Sequence, residues 1–566
     1  LDNKQITKTL KLTIQLMELH EENVFKIRSY QSAVNTIERE SPQLSELGFS
    51  ALQEINGIGK SIATVIQELL STGSHSLLEE LLENTPEGIL EVLQIKGLGP
   101  KKIKILWKEL GITSTHELME ACQAGKVAEL KGFGEKTQES IITALEFMDA
   151  NLGKYLYAEV DEPTNQLLTQ LKENFGDAKV SVVGDFGRTL EIIEFLEIVV
   201  ATDNAEQGHK KIDGLSILEK ELKNSSPFRW GGFLNGAIPV VIWLVGEEGF
   251  HQQCLLRTAS KGHLLTLVDE TRTWLDVVRS EKFASEEEAY ATVGSRFIPA
   301  ELREGHFEWE MAKEGNLPKL LEVEDLKGPL HNHSTYSDGR HTLREMAEYC
   351  REQGFSYLGM ADHSQSAFYA NGLNEERVKK QLKEIEELNS EMAPFKIFRG
   401  IESDILMDGS LDYPNQVLQT FDYVVASVHS GLGMDVKKAT ARLLKAIQNP
   451  YTTILGHPTG RLLLRREGYP IDHKAIIDAC AKYEVVIEIN ANPWRLDLDW
   501  RWVHYAMDKG VMLSINPDAH ETGGFADMKY GVLVGRKGGL TKEMTLNTKT
   551  LEELTAYFEK MKKKNV

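Results

Sequence analysis

Cysteine is scarce. Cys122, Cys254, Cys350 and Cys480 are the only four in 566 residues, far apart and with no Cys-x-x-Cys pair. This excludes a disulfide framework and a thiolate metal site, and fits reduced thiols in a cytoplasmic protein. Long apolar runs are missing too. The longest candidate, AIPVVIWLVG (237–246), is well short of the ~18 residues a membrane span needs. The opening LDNKQITKTLKL has no basic-then-apolar signal pattern, so no membrane partner is expected. Positive charge is also in deficit, with 64 Lys and Arg against 85 Asp and Glu and a formal net charge of −21. Such a chain does not bind polyanions indiscriminately, and any contact with nucleic acid has to be local. What remains is ordinary globular material, 41% hydrophobic and 26% charged. At ~150 residues per domain the length calls for about three or four domains.

Local basic charge is found in the first 150 residues. One pattern recurs there: INGIGKSIATVIQELL (55–70), IKGLGPKKIKILWKEL (95–110) and LKGFGEKTQESIITAL (130–145). Each is an apolar residue, Gly-x-Gly, then a segment with apolar residues three and four apart, which predicts an amphipathic helix. Glycine permits the positive φ of a tight turn and leaves backbone N–H groups open at the start of the next helix, where one phosphate oxygen fits. The candidate DNA contacts are Gly57, Gly59 and Lys60; Gly97, Gly99, Lys101 and Lys102; and Gly132, Gly134 and Lys136. A single copy would suit a plain pair of packed helices equally well. Three copies, each with a lysine just beyond the second glycine, favour sequence-nonspecific DNA binding.

These segments resemble helix-hairpin-helix motifs. ELHEENVFKIRSYQSAVNTIE (18–38) resembles the amino-terminal lyase-type domain of the family X DNA polymerases, in their bacterial and archaeal PolX branch. The resemblance implies a polymerase palm next, and VSVVGDFGRTLEIIEFLEIVVAT (180–202) occupies its place. Where the family has Asp-x-Asp in a strand, this chain has Phe195-Leu196-Glu197, and the third Asp falls at Val241. Nucleotidyl transfer needs carboxylates on one strand face to hold two divalent ions. Phe195 cannot ligate, and Val241 offers no oxygen. In LLRTASKGHLL (255–265), Leu256-Arg257 replace an aromatic pair and Ala259 a glycine, while the lysine of the lyase site aligns with Val65. Polymerase and lyase activities are therefore expected to be absent or very weak.

From about residue 325 short apolar runs alternate with helical patterns. GPLHNHSTYSDGRHT (328–342) opens the series, and runs at 356–364, 396–404, 421–430, 452–458, 484–493 and 511–520 follow. Such alternation predicts parallel βα units closing as a barrel, with chemistry at the carboxyl ends of the strands. His331 and His333 alone would be weak evidence for a metal. Six of the nine histidines after residue 325, however, fall at strand ends: His331, His333, His363, His429, His457 and His520. Glu402 and Asp518 join them, and Asp338 follows in the first loop. His341, His473 and His504 fall on helices or loops and read as ordinary surface residues. Imidazoles with carboxylates and no thiolate suit Mn²⁺, Zn²⁺ or Fe²⁺.

These residues, with GHPTGR and EINANPWRLDL further on, resemble a PHP (polymerase and histidinol phosphatase) domain. The resemblance implies two to three ions. His331, His333, Glu402 and Asp518 would hold one, and Glu402 would bridge to a second with His429 and His457. Asp338, His363 and His520 would hold a third. Arg461, four residues after His457, is the candidate for the scissile phosphate, with a structural salt bridge as the rival reading.

The expected fold is multidomain, α+β and α/β. Residues 1–85 form a lyase-like helical domain with the first hairpin, and 86–150 the further hairpins. Residues 151–315 form a degenerate palm and thumb, and 325–566 a distorted (β/α)₇ PHP barrel. The expected function is a cytoplasmic, monomeric DNA-repair protein whose barrel is a metal-dependent 3′–5′ exonuclease or related phosphoesterase, acting on DNA 3′ ends or gaps held by the sugar-phosphate backbone. The rivals are a DNA-binding scaffold with a structural metal, a histidinol-phosphate-type phosphatase and a working polymerase.

Overall fold

The computed structural model describes residues 1, 3–38, 43–95 and 97–563. The chain divides into two compact units, 1–152 and 153–566. No helix among the described residues is long and apolar enough to cross a membrane.

The first unit is helical. In Lys60–Thr72 the residues Ile62, Ala63, Ile66 and Leu69 recur on one face and are buried. The helix stops at Gly73, in the left-handed region at φ 80°. The three hairpin repeats share one backbone geometry. Their first glycines, Gly57, Gly97 and Gly132, have φ of 94°, 90° and 89°. Only glycine adopts such values without strain, which is why the pattern demands it at these turns. Their second glycines, Gly59, Gly99 and Gly134, cap the helices Lys60–Thr72, Pro100–Leu110 and Glu135–Ala150 without a side-chain cap bond. The N–H groups at these three helix starts thus have no capping side chain of their own.

The second unit begins with a five-stranded sheet in the order Val180–Val183, Leu196–Ala201, Ile238–Val245, Arg229–Leu234, Leu218–Lys220. Leu196–Ala201 and Ile238–Val245 run parallel, and Glu197 lies opposite Val241. The helical region after it packs Trp274, Tyr290 and Trp309 around a buried pair, His263 Nδ1 and Glu308 at 2.8 Å.

The remainder is a curled parallel sheet of six strands in chain order: Tyr357–Met360, Lys396–Asp404, Tyr423–Ser427, Ile454–Leu455, Val486–Asn490 and Leu513–Asn516. Five of them are buried at every position, as strands covered on both faces must be. The sequence leads one to expect seven strands, and the segment 328–333 is the irregular one. It replaces a regular strand with a few bonds on either side. Gly359 N–H donates to Pro329 O (2.8 Å), Ala361 N–H to Asn332 O (2.9 Å), and His333 N–H to Ala519 O (2.8 Å). Side chains close the remaining gap. Asn516 Oδ1 accepts from Leu330 N–H at 2.9 Å, and Asn547 Nδ2 donates to Gly328 O at 3.0 Å. Below the rim, the Tyr423 hydroxyl donates to Leu330 O at 2.7 Å. A Cβ on Gly359 or Gly400 would come within 2.3 Å of the Tyr423 side chain, so both positions must stay bare for the ring to reach under the residue before His331.

Candidate metal centre

The strands deliver their ends to one place. Glu402, completely buried in Lys396–Asp404, is the hub. Its Oε1 lies 3.3 Å from His331 Nε2, 3.2 Å from His429 Nε2 and 3.1 Å from His457 Nε2. Its Oε2 lies 2.9 Å from His363 Nδ1 and 3.7 Å from His333 Nε2. Five imidazoles therefore face one carboxylate. Asp518 Oδ1 stands 3.0 Å from His333 Nε2, and Asp338 Oδ1 is 3.3 Å from His520 Nε2 and 3.6 Å from His363 Nε2. All nine residues singled out in the sequence are in this cluster.

The ligand-type atoms fall into three groups able to hold an ion: His331, His333 and Asp518; His363, Glu402 and His429; and His333, Asp338, His363 and His520. This partition differs from the one the resemblance implies. His363 reaches both Glu402 and Asp338, and His333 offers one nitrogen to each side. His457 belongs to no group, and Glu402 is the one carboxylate that its ring nitrogens meet. Four buried atoms of the cluster, His331 Nε2, His363 Nδ1, His457 Nδ1 and Glu402 Oε2, have no hydrogen-bond partner, and all but His457 Nδ1 face another ligand-type atom of the cluster. Lone pairs aimed inward with no protein donor are what a cation site requires, since a buried polar atom left unsatisfied costs roughly 1–3 kcal/mol. The donor chemistry and these orphaned atoms fit divalent metal.

Neighbours that the sequence did not single out orient the rings. Glu488 Oε1 accepts from His331 Nδ1 at 2.7 Å, which turns the Nε2 lone pair toward Glu402. Asp404 does the same for His429 Nδ1 at 2.6 Å. Asn490 donates to Asp518 Oδ2 at 3.1 Å, and Arg495 Nε lies 3.5 Å from the same oxygen. The legible signal was period two: Asp404 follows Glu402 by two residues, and Asn490 follows Glu488, so each pair shares a strand face. Asp518 (φ 53°) and His457 (φ 20°) have left-handed backbone, a strain that rigid surroundings hold at functional positions.

The electrostatics ask for positive charge. Burial opposes an imidazolium at His331, but Glu488, Glu402 and Asp518 outweigh it and hold His331 well above its ordinary value. Against the same burial, Glu402 and Asp404 raise His429 to about 10, and Asp338 and Asp518 raise His520 to about 9. His333 goes the other way, lowered to about 3 by burial and by His520 and His363. Burial would raise Glu402 and Asp518, yet the surrounding histidines hold both well below the carboxylate range. Protons thus stand where a cation would. Loading Mn²⁺ at pH 7 is expected to release more than one proton, from His331, His429 and His520, and the apparent affinity falls as pH falls. Calorimetric titration in two buffers of different ionisation enthalpy counts them, and a count near zero would contradict this electrostatic account.

Arg461 is turned away from the cluster. Its Nε donates to Arg495 O at 2.9 Å, and its terminal nitrogens go to Asp499 and Leu496 O, a structural salt bridge with no donor facing the ligands. Arg495 is the guanidinium beside the ligands. His341, His473 and His504 lie outside the cluster: His341 accepts from Thr522 N–H, while His473 and His504 stack on Trp502 and Phe307.

In the palm-like sheet Glu197 is already engaged. Its Oε1 accepts from Trp243 Nε1 at 3.1 Å and lies 3.5 Å from Arg257, whose guanidinium stacks on Trp243 at 3.4 Å. Phe195 is exposed and Val241 is buried. Glu191 accepts from Trp500 and Arg501, on the barrel side. At the hairpins Lys60, Lys101 and Lys136 are exposed, while Lys102 is half-buried with its Nζ 5.5 Å from the centre of the Phe133 ring.

The chain matches family models for a helix-hairpin-helix domain over residues 1–75, a SAM-like helix-hairpin-helix tandem over 89–146 and a PHP domain over 329–492. A probable phosphatase of Thermoanaerobacter sp. (strain X514) is 26% identical over 41% of this chain and 95% of its own. A probable phosphatase of Caldicellulosiruptor bescii is 37% identical over 17% of this chain and 38% of its own. The DNA polymerase/3′-5′ exonuclease PolX of Bacillus subtilis (strain 168) is 35% identical over 98% of this chain and 99% of that protein. A match of that strength from end to end, over hairpins, palm and barrel alike, means that this chain belongs to the PolX family.

Proposed function

We propose that the barrel hydrolyses the terminal phosphodiester of DNA from the 3′ end, that the hairpins grip the sugar-phosphate backbone, and that the palm no longer polymerises. The chain would work as a cytoplasmic monomer. The observation that carries this is the convergence of nine imidazoles and carboxylates on one rim, in a chain whose full-length relative is named for a 3′-5′ exonuclease. His331, His333 and Asp518, then His363, Glu402 and His429, with Asp338 and His520 beside them, would hold Mn²⁺ or Zn²⁺, with Fe²⁺ as a third fit to the donors. His457 would add to the Glu402 side. Such ions supply a hydroxide at neutral pH and offset the charge that builds at phosphorus.

The chain's own groups do the rest. Glu488 and Asp404 fix the orientation of His331 and His429, and Asn490 fixes the Asp518 carboxylate. Arg495, at the edge of the same cluster, would take a non-bridging phosphate oxygen, the role that Arg461 cannot reach. The palm carries a hydrophobic strand at Val241 and a Glu197 tied to Trp243 and Arg257, which supports reading it as a scaffold.

The probable phosphatases, of which the Thermoanaerobacter protein matches only 41% of this chain, favour one rival, hydrolysis of a small phosphomonoester. Comparing kcat/KM of the Mn²⁺-loaded chain on a single-stranded oligonucleotide and on histidinol phosphate decides between them. The oligonucleotide should be preferred by at least about a hundredfold, since the hairpins add affinity for polyanionic strands alone. Preference for the monoester would overturn the DNA reading.

A further inference from the structure

The loop after Tyr357–Met360 inverts the usual burial order. Ala367, Ala370 and Leu373 are at most 1% exposed, whereas Phe368 and Tyr369 between them are 89% and 69% exposed. Folding alone favours the opposite, with the small residues out and the rings in. The loop is nevertheless firmly held. Gly372 N–H donates to Ala367 O at 3.0 Å and Leu373 N–H to His363 O at 2.8 Å. Ser366 is bound through its N–H to Asp412 Oδ2 (2.7 Å) and through its hydroxyl to Asp404 Oδ2 (2.9 Å). Asn371, left-handed at φ 53°, donates from Nδ2 to Ser337 O at 3.2 Å. The two rings are thus presented to solvent by a pinned turn.

Their place gives them a use. The Tyr369 ring centre lies 6.1 Å from that of His363 and 6.4 Å from that of His429. Met407, 66% exposed, continues the apolar lip, its sulfur over the Cα of Gly431, two residues beyond His429. A terminal phosphate at the cluster would leave its own sugar and base at this lip. Flat rings beside a phosphate site suit the face of a base, and stacking accepts any base.

Resting on the reading of the barrel as a DNA 3′ exonuclease, we propose that Phe368 and Tyr369 form a stacking platform for the unpaired base of the 3′-terminal nucleotide. The substrate is then a single-stranded or frayed 3′ end, and base pairing at the terminus opposes cleavage. Stacking on alanine-replaceable aromatics is worth enough that Phe368→Ala should raise KM for a single-stranded oligonucleotide about tenfold. An oligonucleotide whose terminal nucleotide lacks its base should show no such change.

The direct test uses the full chain with Mn²⁺ and an oligonucleotide carrying 2-aminopurine at its 3′ end, a fluorophore at its 5′ end and phosphorothioate terminal linkages that resist cleavage. Anisotropy of the 5′ label reports binding, and 2-aminopurine emission reports stacking. At a concentration saturating the anisotropy, the unaltered chain should quench the 2-aminopurine, and Phe368→Ala/Tyr369→Ala should leave it as bright as in the free strand. Both side chains are exposed, so their loss does not threaten folding. Equal quenching by the double variant overturns the platform and leaves the exonuclease reading standing. No anisotropy change with the unaltered chain overturns the DNA reading, and the platform with it.

Discussion

Glu402→Gln is expected to lower hydrolysis by about 10³-fold or more and to abolish tight Mn²⁺ binding. The substitution keeps the size of the side chain and removes the charge that five imidazoles face. Glu402 is completely buried, so no solvent carboxylate or water shell replaces it. An amide nitrogen would also point a donor at imidazole nitrogens that need their lone pairs for metal. Charge stabilisation by a bound divalent ion is worth several kcal/mol, and each ~1.4 kcal/mol is a tenfold change in rate. Single-turnover rates on a 5′-labelled strand, with metal content measured on the same samples, give both quantities. A variant within about tenfold of the unaltered rate would mean that Glu402 is not the hub of the chemistry.

Lys537→Met is expected to cost about 3 kcal/mol of stability. Lys537 is 1% exposed. Its Nζ pairs with Glu304 at 2.5 Å and donates to Arg188 O at 2.9 Å and Glu301 O at 3.3 Å, joining the barrel helix Met528–Lys537 to the palm-like region. Burial pulls its pKa down and Glu304 opposes that. Methionine fills the volume but leaves the buried Arg188 carbonyl and the part-buried Glu301 carbonyl without this donor, and Glu304 with Arg188 alone. Removing one partner of a buried pair commonly costs about 3–5 kcal/mol, and the surviving Arg188 contact puts this case at the lower end. Trp500, whose ring lies 4.5 Å from Nζ, reports the local transition in urea. A midpoint that does not move would show that the palm and barrel are joined by other means. The same joint bears on the palm's chemistry. Arg188, the one arginine left in the palm motif, is 9% exposed and paired with Asp185 and Glu304, and Glu191 is held by Trp500 and Arg501.

The nine clustered imidazoles and carboxylates of the barrel were legible because βα alternation places strand ends on one rim, and imidazoles rarely gather there by chance. The Gly-x-Gly turns were legible because only glycine serves at their positive φ. The register of the palm was legible too, in that Glu197 and Val241 are neighbours across parallel strands. Other features depend on tertiary detail. Period two puts Asp404 on the strand face of Glu402, but the ring nitrogen that Asp404 or Glu488 faces is set only in the fold. The direction of Arg461 is set by Asp499, 38 residues away, and Arg495 takes the place beside the ligands instead. The segment 328–333 has the composition of a strand but is held by Asn516, Asn547 and Tyr423 side chains rather than by a full ladder. The exposure of Phe368 and Tyr369 is likewise invisible in a sequence where the same residues would pass for core.

The central claim is that the barrel degrades DNA and the palm is inert, and one experiment addresses both halves. A 5′-labelled primer on a longer template is incubated with the full chain, Mn²⁺ and all four dNTPs, beside a lane with His331→Ala/His333→Ala. Stepwise shortening that disappears in the double variant is the predicted result. Lengthening of the primer would contradict the inert palm, and shortening that survives the double variant, or failure to shorten the same strand when it is offered without its template, would contradict the barrel as its site.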